Sequence, residues 1–146
     1  MLLKFLKLSF RNKVFFIAML SFSFFIKISI LIFSFRTIEK ILGKKITGRE
    51  NSINDPEKKR QIVKKISANI SRVKKIVPWK SNCYDQALLA VIFLRWFKIN
   101  YKINFGVKKK SEHKLKAHAW VLSSGVAVTG VKESKGFIIT GSYTNL

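Results

Sequence analysis

The longest unbroken pattern in this chain is apolar. Arg11 and Lys13 precede 22 residues, Val14 to Phe35, whose single charge is Lys27, and Arg36 closes the run. At 100° per residue, Asn12, Ser23, Lys27 and Ser34 fall within a narrow arc, so the stretch predicts a helix with a polar stripe on an otherwise apolar surface. Three settings accept such a helix: the core of a domain, a membrane interface, or a bilayer crossing whose stripe finds an internal partner. A cleavable signal fits poorly, because the apolar part is long and no small-residue cleavage site follows Phe35. Residues 1–43 as a whole read as an apolar helical segment. Residues 44–54 are polar and read as a linker.

A different pattern begins at Asp55-Pro56-Glu57. The carboxylate can cap free amides, and proline suits the first helical position, where its missing N–H is harmless. Ile62, Val63, Ile66, Ile70, Val73 and Val77 then recur at helical spacing, with Lys58, Lys59, Lys65, Arg72 and Lys75 on the outer face, until Pro78 ends the helix. Ala87 to Phe97 carries no charge before Arg95, which predicts a helix buried nearly all round. Large apolar residues alternate at Tyr101, Ile103, Phe105 and Val107, the signature of a half-buried strand. Lys108 to Lys116, with His113, reads as a basic loop. Strands are expected at Ala117 to Leu122, Val126 to Val131 and Phe137 to Gly141. Helices first and a small antiparallel sheet last make an α+β domain over residues 55–146.

Composition narrows the classes. The 146 residues suffice for one hydrophobic core, and an apolar content of 48% argues against disorder. A single cysteine, Cys83, excludes an internal disulfide framework, and two histidines make a zinc site of cysteine and histidine ligands improbable. No metal or cofactor is expected, and a lone thiol suits the cytoplasm. The net charge of +22 is spread along the chain, with 18 Lys and Arg against 4 acids before Val77 and 11 against 3 from there on. Such a field attracts polyanions, anionic head groups or acidic peptides. It is also what a lysine-, isoleucine- and asparagine-rich composition produces with no binding role. A nucleic-acid-binding protein is a weak reading, since the aromatics sit in apolar runs and no recognised motif appears.

The candidate chemistry lies at Cys83 and His118. Ser81 or Asn82 can cap the helix that Cys83 opens, and unpaired amides at a helix N-terminus favour a thiolate there. A histidine within reach can hold the ion pair and protonate a leaving amine. His118 sits mid-strand beside Trp120, whereas His113 lies in a lysine-rich segment. Gln86, one turn after Cys83, is a candidate oxyanion donor or a cap. Trp79 and Trp120 are candidates for core or cleft wall.

These residues also carry a resemblance. Pro78-Trp79, Cys83, Gln86-Ala87-Leu88, Ala117-His118-Ala119-Trp120, Gly125 and Val128-Thr129-Gly130 together resemble the lasso-peptide biosynthesis B2 proteins. Those are leader peptidases similar to the C-terminal region of the microcin J25 processing protein. The resemblance implies a transglutaminase-like, papain-like fold in which a buried helix presents cysteine against a small antiparallel sheet. It further implies a cysteine peptidase that cuts a ribosomal precursor peptide at its leader, with Cys83 as nucleophile and His118 as base and then acid. The implied partners are that precursor, a separate B1-type leader-recognition protein and an ATP-dependent macrolactam synthetase. One departure stands out. The family dyad is commonly completed by an aspartate on the strand after the histidine, and here that region reads Val128-Thr129-Gly130. Glu133 from the next loop, or Asp85, is the acid that could serve instead. The competing reading is a catalytically inactive relative that binds a precursor or partner and is anchored at the inner membrane through residues 14–35.

Overall fold

The computed structural model describes residues 9–47 and 56–146; Asp55, expected to cap a helix, lies outside them. The apolar run forms helix α1 (Phe10–Ile32). It ends where Phe33 turns to extended backbone, with its N–H still donating to the Ser29 carbonyl at 2.8 Å. Ser34 is also extended, and its carbonyl starts a short second helix, α2 (Phe35–Glu39). Helix α3 (Glu57–Ile76) starts directly after Pro56, whose carbonyl accepts the amides of Lys59 and Arg60 at 2.9 and 3.2 Å. Its apolar face buries Val63, Ile66, Ile70 and Val73, as the spacing predicts. Helix α4 (Cys83–Trp96) is buried on nearly every side, through Ala87, Leu88, Leu89, Ala90, Val91, Phe93 and Leu94.

The strands are β1 (Lys44–Ile46), β2 (Lys102–Ser111), β3 (Lys114–Ser123), β4 (Val126–Thr129) and β5 (Ile138–Thr144). They make one antiparallel sheet in the order β1-β5-β2-β3-β4. Four expectations change here, the first being that the last strand, expected at Phe137 to Gly141, runs over Ile138–Thr144. The expected linker begins instead as edge strand β1, pairing Lys45 with Tyr143. The expected basic loop is a hairpin, because the ladder continues through Lys108↔Lys116 and Lys109↔Leu115 to Ser111↔Lys114. That hairpin projects past the core with both faces exposed, so its backbone pairs without the apolar alternation that marks a half-buried strand. Strand β4 stops at Thr129, because Gly130 turns with φ +72° into a 3₁₀ turn over Lys132–Ser134.

One core joins all layers. Phe16, Met19 and Ile26 of α1 share it with Val63, Ile66 and Ile70 of α3, the buried face of α4, and Ile103, Ala119, Val121 and Tyr143 of the sheet. Helix α4 packs on β3 and β4, α3 on α4 and β4, and α1 on α3 and α4. Tyr101, wholly buried, ties the sheet to the segment after α2 by donating its hydroxyl to the Leu42 carbonyl at 3.0 Å.

Candidate active site

The start of α4 is held from three sides. Asn82 is extended, and Cys83 is the first helical residue. Asp85 reaches back to accept the Asn82 amide at 3.1 Å, the reciprocal half of a capping box. Lys27, from the middle of α1, donates to the same Asp85 oxygen at 3.0 Å and to the Lys80 carbonyl at 3.1 Å. Gln86 donates to the Ser81 carbonyl at 3.1 Å and accepts the Thr129 hydroxyl at 3.2 Å, so it straps the loop before the helix to β4. Cys83 is half-buried at the centre of this brace.

His118 is buried in β3. Its ring stacks on Trp120, with centroids 5.8 Å apart, and meets Phe137 at 5.1 Å. Its Nε2 lies 2.7 Å from the Gly130 carbonyl oxygen. A carbonyl only accepts, so Nε2 carries the proton and Nδ1 is the nitrogen left for proton transfer. Gly130 packs directly against the imidazole, and a Cβ there would lie 3.2 Å from Nε2.

Neither acid expected from the sequence holds that nitrogen. Asp85 is committed to Lys27 and the Asn82 amide, and Glu133 is exposed on the 3₁₀ turn. His113 is exposed in the tip of the β2–β3 hairpin. Gln86 is a strap, as described. Trp79 is half-buried against Phe24, centroids 5.7 Å apart, with its indole N–H buried and unpartnered. Trp120 lies over Gly106, where a Cβ would meet its ring at 2.9 Å.

Two contact routes join the thiol's neighbourhood to the imidazole. On one side Gln86 bonds Thr129, the residue before Gly130. On the other, Tyr84 meets Phe105 at 6.0 Å, and the next residue, Gly106, pairs with His118 across the ladder. Among the described residues no hydrogen bond joins Cys83 to His118 directly. Strand alternation explains the gap: Ala119 and Val121 enter the core beneath α4, whereas His118 and Trp120 point to the other face of β3.

The profile of the transglutaminase-like superfamily matches residues 29–140. The chain belongs to the transglutaminase-like superfamily. No curated protein and no solved structure matches it. The match begins near the end of α1, so most of that helix precedes the matched region. The superfamily includes cysteine peptidases and transglutaminases. The mixed architecture, with a helix led by Cys83 packed on a small antiparallel sheet behind an apolar N-terminal helix, is a transglutaminase-like domain. The sequence pointed to Cys83 and His118 but missed Gly130 as the partner of the imidazole and Lys27 as the partner of Asp85. The glycine of the Val128-Thr129-Gly130 triplet was the local sign of the first, and the polar stripe of α1 of the second.

Proposed function

We propose that the protein is a cysteine peptidase of the lasso-peptide B2 kind, cutting the leader from a ribosomal precursor peptide in the cytoplasm. The Cys83 sulfur attacks the carbonyl at the leader–core junction as its proton passes to His118 Nδ1. The tetrahedral intermediate collapses to a thioester, and the proton goes from the imidazole to the departing amine. Water, deprotonated by the same nitrogen, then releases the acid and restores the thiol. The observation that carries this reading is the Nε2–H bond to the Gly130 carbonyl, which reserves Nδ1 for acid–base work without a side-chain acid. Cys83 and His118 are not bonded in the free structure, so this reading requires the substrate complex to bring the thiol within reach of Nδ1. A separate leader-recognition protein and an ATP-dependent macrolactam synthetase complete the proposed pathway.

The test is incubation of the full chain with a candidate precursor and its recognition protein, followed by mass spectrometry. Expected are two fragments that sum to the precursor plus one water. Cys83→Ala should leave the precursor intact while keeping the parent's circular dichroism. His118→Ala should lose at least about 100-fold in rate, and His113→Ala should match the parent. An alanine variant at 83 that cut at the parent rate would remove Cys83 as nucleophile.

A second reading, an inactive relative that binds the precursor, is favoured by the missing acid and the open Cys83–His118 pair. It predicts that the parent and Cys83→Ala retain the precursor with equal affinity and that neither cuts it.

A further inference from the structure

Helix α1 is built with its polarity reversed for a protein in water. Its inward face carries Ser23, buried in the core, and Lys27, reaching Asp85. Its outward face is apolar. Phe10, Val14, Ile17, Phe25, Leu31 and Ile32 are each more than half exposed and share an arc of about 120°. Ser21 is the polar residue among them, and Lys13 sits at the arc's edge near the N-terminal end. The patch widens at one flank, where exposed Trp96 and Phe97 touch Phe22 and Phe15. Arg11 at the start of α1, Arg36 and Lys40 just after its end, and Lys98 next to Phe97 in sequence are exposed as well.

We propose that the outward face of α1 is a docking surface for an anionic lipid bilayer, on which the helix lies in the plane of the head groups. Two other arrangements fit less well. A second copy of the chain would have to overcome repulsion between two bodies of net charge +22, whereas an anionic surface is complementary to that charge. By length and composition Phe10–Ile32 is long and apolar enough to cross a bilayer. Yet α1 is packed against α3 and α4, and the outer face of α3 exposes Lys58, Lys64, Lys65, Lys74 and Lys75. Standing α1 across a bilayer would draw those charges toward hydrocarbon, while laying it flat leaves them in water. The stripe that a crossing helix would have to satisfy in lipid is already satisfied by the protein, at Asp85 and the Lys80 carbonyl.

The inference stands apart from the peptidase reading, and its test measures lipid binding alone. The full chain is sedimented with vesicles of phosphatidylcholine and with vesicles containing about one third phosphatidylglycerol. Expected is partition at least about tenfold stronger to the anionic vesicles, falling as salt is raised. Phe25→Asp combined with Leu31→Asp, both at exposed positions, should lose about tenfold or more of that binding and keep the parent's thermal melt. Orientation is read with single thiols placed by Ser9→Cys or Ser34→Cys, exposed positions off the apolar arc at the two ends of α1, in a Cys83→Ala chain. A maleimide that cannot cross the bilayer should label both ends alike from outside. Protection of one end alone would mean a spanning helix and would overturn the proposal. So would equal binding by the double variant, no binding to either vesicle, or a solution dimer that the double variant abolishes.

Discussion

At the residue scale, the decisive atom is a main-chain oxygen. The Gly130 carbonyl fixes the His118 tautomer, and the position tolerates no side chain: φ is +72°, and a Cβ would lie 2.5 Å from the Ala119 oxygen. Gly130→Ala should therefore cost about 1–3 kcal/mol in urea unfolding and reduce any processing beyond what that loss explains, because the carbonyl moves with the turn. A variant as stable as the parent would show that the turn absorbs the added carbon. Tyr84, next to the thiol, gives a second test. Its hydroxyl is buried without a partner, and burial, with Asp85 and Glu39 adding to the effect, pushes the phenol from 10.0 up to about 12. Tyr143, buried and hydrogen-bonded to Glu39, is likewise raised to about 12. With the folded value above the unfolded one, the contribution is complete below pH 10 and drains away as pH climbs toward 12. Alkaline titration of stability should show that decline, and Tyr84→Phe should make it shallower while leaving neutral-pH stability equal or higher.

At the scale of elements, the informative contact joins α1 and α4 through Lys27 and Asp85, 58 positions apart in sequence. Lys27 binds the carboxylate that closes the N-terminal turn of α4, so the apolar helix braces the turn that carries Cys83. Lys27→Met leaves Asp85 buried with the Asn82 amide as its remaining donor, and should destabilise by about 2–3 kcal/mol, below the about 3–5 kcal/mol of a fully buried pair because Lys27 is 24% exposed. Adding Asp85→Asn should return part of that loss, measured as coupling in a double-mutant cycle. Additive single effects would show that the pair is not coupled. The helices were legible for local reasons: α3 from its apolar spacing, α4 from its uninterrupted apolar run. The hairpin over Lys108–Lys116 and the edge strand β1 were not, since both depend on a ladder offered by other strands rather than on their own pattern.

For the whole molecule, a net charge of +22 on 146 residues strains the folded state through self-repulsion. Raising salt from low to physiological strength should raise the melting temperature by a few degrees, and a fall would point to structural ion pairs outweighing repulsion. What the sequence by itself determined was local: which segments are helical, that Cys83 opens a buried helix, that His118 sits in a strand, and that α1 carries a polar stripe. Periodicity and capping act over a few residues, so they can be read along the chain. Only tertiary structure decided which face of α1 meets the protein, that Lys27 finds Asp85, that the Gly130 carbonyl holds the His118 ring, and that Cys83 and His118 are not bonded to each other. Each of those depends on strand register and helix packing between distant segments, where a shift of one residue sends a side chain to the other face.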